Sequence, residues 1–180
     1  MKKHFAIIIF LLLAATSASG QSRVFPNMPY MVLNTRPGYI TINEFGTGIG
    51  ISSKSFPYSK YFYGITSIHG YQLNGSMVIA GGTGLLLYND GPVIPLFLDL
   101  RYRLLVDNLT IYVYGDGGFL LNPKELNAKT MMFVNAGPGA RFTLNPTLAL
   151  NFSPGLQIQM GPDSRASFIN FRMGATFKPR

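Results

Sequence analysis

The residues best suited to chemistry are a serine and a histidine two positions apart. His69 is the only histidine after His4, and Ser67 precedes it by two residues, so both side chains would lie on one face of a strand. Glu44 falls in the neighbouring predicted strand. A serine, a histidine and a carboxylate could together transfer acyl groups, provided that the carboxylate meets the histidine. Because the pattern places no acidic residue beside His69, the sequence favours the other interpretation, a polar strand end without catalytic residues.

Other chemical sites find little support in the residue types. The chain has no cysteine, which excludes a lipid anchor on cysteine, disulfides and thiolate chemistry. One remaining histidine and dispersed acidic residues do not form a metal-ligand set. Gly46, Gly48 and Gly50 lie inside a strand pattern rather than before a helix, so they do not indicate a nucleotide site. We therefore expect no catalytic residue, no cofactor and no metal.

The first twenty residues have the form of a cleavable signal peptide. Lys2 and Lys3 precede an apolar run over residues 5–15, and small residues at 18–20 fit cleavage after Gly20. This run would rise only about 16 Å as a helix, too short for a hydrocarbon core of roughly 30 Å, although an uncleaved N-terminal anchor is the alternative. Residues 21–37 contain three prolines and are predicted to be a periplasmic lead-in.

The remainder of the chain is too apolar for an ordinary soluble domain. Only 12% of the residues are charged, against roughly 25% in soluble domains, and the mean hydropathy is +0.21. After residue 20 no apolar run approaches the length of a membrane helix. The net charge is +8, or +6 without Lys2 and Lys3, but the basic residues are scattered, which argues against nucleic-acid binding. Apolar character without helical spans is typical of a membrane β-barrel, in which it is distributed by alternation.

Strand-like runs recur eight times and are separated by turn residues such as Asn74-Gly75 and Asn145-Pro146. Short connections after the second, fourth and sixth strands contrast with longer ones after the first, fifth and seventh, as at the two ends of a membrane barrel. The predicted fold is all-β, an eight-stranded antiparallel up-and-down transmembrane β-barrel over residues 38–178. The strands are predicted at residues 38–52, 61–72, 76–88, 92–105, 109–121, 131–143, 147–160 and 166–177.

Alternation within the strands separates large apolar side chains from polar ones. Leu96, Leu98 and Leu100 share one face of the fourth strand, and Asp99 and Arg101 share the other. The narrow interior of an eight-stranded barrel cannot hold a full set of large apolar side chains, so we expect these to face lipid. The polar faces would fill the lumen, where ion pairing must offset a desolvation penalty of several kcal/mol per charge. The predicted lumen network comprises Glu44, Asp99, Arg101, Arg103, Asp116, Arg141 and Arg172.

Other interpretations of this pattern stay open. With the two faces reversed, the chain would be an exported soluble barrel that binds an apolar ligand, as lipocalins do. The lumen charges could also line a weakly anion-selective passage instead of forming a plug. Aromatic residues at the strand ends could form interfacial girdles, although a few could pack inside the lumen instead. These residues are Tyr39, Tyr61, Tyr63, Tyr112, Tyr114 and Phe119.

The chain resembles the outer-membrane β-barrel family of Gram-negative bacteria, the porin-like, OmpA/OmpX-like barrels, over about residues 38–178. The resemblance implies a location in the cell outer membrane, contact with outer-membrane lipids and lipopolysaccharide, and insertion by the barrel assembly machinery. It is carried by the stretches Pro95-Leu-Phe-Leu-Asp-Leu-Arg-Tyr-Arg103, Gly137-Pro-Gly-Ala-Arg-Phe142 and Ile169-Asn-Phe-Arg-Met-Gly-Ala-Thr-Phe177.

The same resemblance implies a role for the last strand. Arg172, Gly174 and Phe177 match the assembly signal of the family, although the family usually ends on an aromatic residue and this chain continues through residues 178–180. Some barrels of this kind deacylate lipid A with a His-x-Ser pair, whereas the order here is Ser-x-His. The resemblance implies a structural, envelope-integrity or interaction role without catalysis, and a lipid A-modifying enzyme is the alternative.

Overall fold

The computed structural model describes residues 35–51, 60–104, 109–123, 130–161 and 165–179. The predicted signal peptide and residues 21–34 of the predicted lead-in lie outside these described residues, as do positions 52 and 105 at the ends of two predicted strands. In the described ranges no helix has the length and apolar character needed to cross a membrane.

Eight antiparallel strands form one closed barrel in which consecutive strands pair and the last strand pairs with the first. This confirms the predicted all-β, up-and-down architecture, and each strand end lies within two residues of its predicted position. The strands are β1 Gly38–Gly50, β2 Tyr61–Gln72, β3 Met77–Tyr88, β4 Gly91–Arg103, β5 Leu109–Leu121, β6 Met131–Asn145, β7 Leu148–Met160 and β8 Arg165–Phe177.

The connections at both ends of the barrel show local turn chemistry. We call the end where β1 begins and β8 ends the termini end, and the opposite end the loop end. At the termini end, Asn74 Oδ1 accepts the backbone N–H groups of Ser76 and Met77, both at 2.8 Å, and so holds the β2–β3 turn. At the loop end, Gly91 follows the β3–β4 turn with a φ of 135°, a conformation that side chains disfavour.

The side chains face the directions that alternation predicts. Leu98, Leu150 and Phe171 lie on the outer wall and expose 69%, 47% and 44% of their surface, respectively. Arg101 and Arg172 point inward and expose only 2% and 8%. Since a soluble barrel would reverse this order, the alternation belongs to a barrel that meets an apolar surrounding.

The interior is layered along the barrel axis. Charged side chains occupy the middle, whereas large apolar side chains lie inside near both ends, including Phe168 near the loop end and Ile42 near the termini end. The lumen therefore holds some large apolar groups at its two ends, beside the polar side chains that the alternation predicts. Glycines make the room, because a Cβ at Gly48 would lie 2.3 Å from the ring of Phe62.

Candidate functional site

The middle of the lumen holds ion pairs centred on Arg101. Its Nη1 donates to Glu44 Oε1 at 2.8 Å. Its Nε and Nη2 donate to the two oxygens of Asp99 at 2.9 and 3.0 Å. The three side chains are buried, so each carboxylate loses its hydration. Pairing with the guanidinium offsets the desolvation penalty of each buried charge.

Arg172 extends this arrangement across the lumen. Its Nη1 donates to Asp116 Oδ2 at 2.7 Å and lies 3.4 Å from Glu44 Oε2, so Glu44 bridges the two arginines. The guanidinium carbon of Arg172 also lies 4.2 Å from the ring centroid of Tyr114. Five of the seven predicted lumen residues thus form one connected set, which we call the charged layer: Glu44, Asp99, Arg101, Asp116 and Arg172.

The strand register explains why both arginines are needed. Asp99 and Asp116 are directly paired across β4 and β5, and like charges in that position destabilise a sheet. Arg101 neutralises the first carboxylate and Arg172 the second. Three carboxylates and two guanidinium groups leave the charged layer with a formal charge of −1.

Arg103 and Arg141 lie nearer the termini end, and the described residues to which they donate are neutral. Arg103 donates to Gln72 Oε1 at 2.6 Å, and Arg141 donates from Nε to Asn151 Oδ1 at 2.9 Å. Among the described residues neither arginine forms an ion pair with a carboxylate. All seven predicted residues point into the lumen, but the structure divides them into a paired set of five and two arginines with neutral partners.

A layer of rings lies above the charged layer toward the loop end, and the sequence analysis missed it. Phe62 lies 5.0 Å from Tyr88 and 5.4 Å from Phe168, between ring centroids. Phe97 and Phe133 form a second edge-to-face pair at 5.9 Å. Alternation could have indicated these rings, because residues two positions apart on a strand share a face. Phe97 shares its face with Asp99, and Phe168 shares its face with Asn170. We call these five rings the aromatic layer.

Little space remains between the aromatic layer and the charged layer. A cavity of about 30 Å³ lies there and is lined by side chains of both layers, among them Phe133, Asp116 and Arg172. This volume suits one or two water molecules, since one water needs at least roughly 10–15 Å³. Among the residues that the structure describes, Asp116 Oδ1 and Arg172 Nη2 are buried without a hydrogen-bond partner, and water in this cavity would supply one.

The six aromatic residues considered for an interfacial girdle divide between the outer wall and the lumen. Tyr39, Tyr61, Tyr63 and Phe119 lie on the outer wall. Tyr112 and Tyr114 lie inside the lumen instead, because they share the strand face of Asp116. Tyr112 is held there by a 2.6 Å hydrogen bond to Ser153, and its ring lies 5.5 Å from the guanidinium carbon of Arg141.

Ser67 and His69 lie on the outer wall, where an acyl-transfer set does not assemble. Ser67 Oγ lies 2.9 Å from His69 Nε2 and donates to Asn43 Oδ1 at 2.7 Å. The hydrogen bond from Ser67 thus directs its proton to Asn43 rather than to His69. Its Nδ1 lies 2.7 Å from the hydroxyl of Tyr39, and Glu44 points into the lumen, away from the pair.

The residues that match an assembly signal occupy three different surroundings. Arg172 belongs to the charged layer, and Phe177 lies on the outer wall at the termini end. Gly174 faces inward at a close approach to β1, where a Cβ would lie 2.1 Å from Asn43 O. Their packing therefore explains why an arginine and a glycine stand in β8, while an assembly role stays a prediction.

The chain matches no sequence-family model and no curated protein sequence. Among solved structures it is similar to Neisserial surface protein A, with 12% identity over 79% of this chain and 99% of that chain and a TM-score of 0.58. It is also similar to the outer membrane protein OprG from Pseudomonas aeruginosa, with 12% identity over 82% of this chain and 98% of that chain and a TM-score of 0.52. The N-terminal β-barrel domain of Pseudomonas aeruginosa OprF is 19% identical over 79% of this chain and 100% of that domain, with a TM-score of 0.49. The first two likenesses confirm the predicted resemblance at the level of the fold: this chain has the eight-stranded barrel fold of small outer-membrane proteins such as OprG.

Proposed function

We propose that this chain is a small barrel of the Gram-negative outer membrane that crosses the bilayer with its eight strands and supports the envelope by a structural or interaction role. The observation that carries the proposal is the inverted barrel, with leucine and phenylalanine on the outer wall and ion pairs in the lumen. In water such a wall would expose a large apolar surface, whereas in a bilayer it meets acyl chains.

The strand lengths support a transmembrane position. The strands have 12 to 15 residues, and a tilted strand needs roughly 9–11 to cross the hydrocarbon core. Tyr39, Tyr71 and Tyr102 lie on the outer wall one residue from the termini ends of their strands, where they would meet the headgroups of one leaflet. Outer-membrane lipids, with lipopolysaccharide in the other leaflet, would then surround the barrel.

We further propose that the lumen is a plug instead of a passage. The charged layer and the aromatic layer stand one behind the other, and the cavity of about 30 Å³ that their residues line together has room for one or two waters. The arginines of the charged layer are engaged by carboxylates, which does not favour an anion-selective passage. In this proposal the charged layer fixes the barrel shape and has no transport role.

Residues 1–20 would direct export as a signal peptide, residues 21–37 would form the periplasmic lead-in, and residues 38–178 would form the membrane barrel. The barrel assembly machinery would insert the chain, with Arg172, Gly174 and Phe177 as the signal. A soluble lipocalin-like barrel fits poorly, because its apolar residues would face inward. A lipid A-modifying enzyme fits poorly as well, since Glu44 does not meet His69.

Fractionation with gel analysis tests the outer-membrane position. We expect the full-length chain, expressed in a Gram-negative host, to sediment with the outer membrane and to migrate faster unboiled than boiled, because a folded membrane barrel resists detergent. Recovery of the folded chain in the detergent-free soluble periplasm would overturn the proposal. Alkaline carbonate extraction separates the two outcomes further, since an inserted barrel stays in the pellet.

A further inference from the structure

We propose that the outer wall of β1–β3 binds a second copy of this chain through a polar patch in its middle. This inference rests on the proposed membrane position, because only there does a polar outer wall lack water. The patch consists of Thr41 and Asn43 on β1, Ser67 and His69 on β2, and Gly81 and Thr83 on β3.

The strand register arranges the patch in two adjacent rows. Ser67 is paired with Asn43 on one side and with Thr83 on the other. His69 is paired with Thr41 and with Gly81 in the row nearer the termini end. All six residues point outward.

Apolar side chains enclose these rows on the same wall. Two residues farther toward the loop end lie Phe45, Ile65 and Leu85, all on the outer wall. A strand tilted by about 40° rises roughly 2.5 Å per residue along the barrel axis, which puts Ser67 roughly 13 Å from the termini end of β2. This depth is near the middle of an apolar band about 25 Å tall, so headgroups lie too far away to reach the row of Ser67.

The polar groups of this row are only partly satisfied within the chain. Ser67 bonds to Asn43 and His69, and His69 bonds to Tyr39. Within the described ranges, the amide N–H groups of Asn43 and the hydroxyl of Thr83 have no hydrogen-bond partner. Acyl chains offer none either, so a protein surface must supply the missing partners.

The patch is complementary to itself about a two-fold axis placed between β2 and β3 and normal to the membrane. Such an axis puts Ser67 of each copy against Thr83 of the other, and both hydroxyls can donate and accept. The same axis brings His69 of each copy over Gly81 of the other. Gly81 is not required by packing inside the chain, since a Cβ there would have its nearest neighbour at 3.9 Å. Its missing side chain leaves room for the imidazole of a second copy.

The apolar neighbours complete the proposed contact. Ile65 and Leu85 are also paired across β2 and β3, so the same axis brings Ile65 of one copy against Leu85 of the other. They would exclude lipid from the central hydroxyls, as apolar surroundings do at other interfaces. A depression of about 670 Å³ runs over this region, lined by Asn43, Ser67 and Thr83 with the apolar side chains.

Cysteine cross-linking in membranes tests this contact, and the absence of native cysteine makes single introduced thiols specific. We expect Ser67→Cys and Thr83→Cys, mixed in proteoliposomes under a mild oxidant, to give a band of twice the monomer mass. The mixed sample should contain more of this dimer band than a sample of either variant alone. The dimer band should also persist when lipid is added in excess. Ala140→Cys is the matched control, since it replaces a small outward residue on β6, four strands away from β2.

Only monomer from the mixed variants, or equal cross-linking of Ala140→Cys, would overturn the second-copy contact. Cross-linking in whole cells to a band of another mass would also overturn it, in favour of a different protein partner. Heat-modifiability of the same samples shows separately whether the barrel has inserted, so failure of this inference is distinct from failure of the proposed function. As a second measurement, Ser67→Ala with Thr83→Val should keep the heat-modifiable barrel and abolish energy transfer between labelled copies.

Discussion

The buried arginines differ in how many carboxylates they neutralise. Arg101 is the direct ion-pair partner of both Glu44 and Asp99, whereas Arg141 bonds to the amide of Asn151 and lies beside Tyr112. Removing Arg101 would leave two buried carboxylates without their counter-charge, while removing Arg141 leaves only neutral groups. Residues of one type in one lumen should therefore differ strongly in their contribution to stability.

We predict that Arg101→Met lowers the free energy of unfolding by about 3–5 kcal/mol, the usual cost of breaking a buried ion pair. Arg141→Met, the matched control, should cost about 1 kcal/mol or less, because its lost hydrogen bond is offset by the relief of a desolvated charge. Urea unfolding in lipid vesicles, followed by gel shift, measures both. Equal losses in the two variants would contradict the assignment of the ion pairs, and Glu44→Gln with Asp99→Asn should partly rescue Arg101→Met.

Lys178 gives the termini end a predicted pH dependence. It follows β8, its Nζ donates to Arg36 O, and burial together with Arg103 and Arg141 lowers its pKa to about 8. The unfolded chain keeps the ordinary lysine pKa near 10.4 and so binds more protons between these values. Stability should therefore rise as the pH increases from about 8 to about 10, and should not change below 8 through this group.

Unfolding midpoints across this pH range check the prediction. The comparison is with Lys178→Met, in which the rise due to this group should disappear. A rise of the same size in Lys178→Met would assign the pH dependence to other groups.

At the residue scale, sequence reasoning predicts which charges enter the lumen and fails to predict how they pair. Alternation fixes the inward face of Asp99, Arg101 and Arg103, and all three lie there. Pairing depends instead on the stagger between distant strands, which brings Glu44 of β1 to Arg101 of β4, 57 positions along the chain. Nothing in the local sequence distinguishes Arg101 from Arg103 in this respect.

At the scale of the strand, inward and outward glycines have different reasons for being there. A Cβ at Gly84 would lie 2.1 Å from the backbone oxygen of Ile65, so β2 and β3 can approach only because this side chain is absent. A Cβ at Gly115, on the outer wall of β5, would meet no atom of the described part of the chain within 4 Å. One glycine thus sets a strand spacing, and the other is not demanded by packing within the barrel.

We therefore predict opposite effects of alanine at the two positions. Gly84→Ala must displace backbone and should destabilise the barrel by about 1–3 kcal/mol, as overpacking does. Gly115→Ala should be neutral or stabilise by up to about 1 kcal/mol, because alanine loses less conformational entropy in a strand. Unfolding in vesicles measures both, and an unaffected Gly84→Ala barrel would show that β2 and β3 separate easily.

Elements were easier to predict than the contents of the lumen. Strand positions follow from alternation and from turn residues such as Asn74, which are local signals. The aromatic layer has only a partial local signal: alternation places Phe97 and Phe168 on polar faces, but a phenylalanine by itself fits both a lipid-facing and a lumen-facing position. Phe62 fits inside only because Gly48 stands beside it on β1, and that pairing appears only once the register is known.

At the scale of the whole molecule, the two layers should close the lumen in series. The aromatic layer lies toward the loop end, and the charged layer separates it from the termini end. Asn170 lies between the two layers and Thr176 lies beyond the charged layer, and both are buried. A reagent that enters from the loop end should meet the rings first, Asn170 next, and the charged layer before Thr176.

The proposed periplasmic lead-in before β1 puts the termini end in the periplasm and the loop end outside the cell, so this order predicts how a reagent added outside reaches the lumen. In the cysteine-free chain, Asn170→Cys should react slowly with a small membrane-impermeant maleimide and clearly faster after Phe62→Ala and Phe168→Ala remove two rings. Thr176→Cys should stay protected in that background, because the ion pairs of Arg101 and Arg172 still fill the lumen between Asn170 and Thr176. Ion conductance should not rise for the same reason.

Phe152→Ala with Phe171→Ala, which removes two stacked rings from the outer wall, is the matched control and should leave Asn170→Cys protected. Equal reactivity at Asn170→Cys and Thr176→Cys would mean that the rings alone close the barrel, and the charged layer would then serve only to hold the strands together.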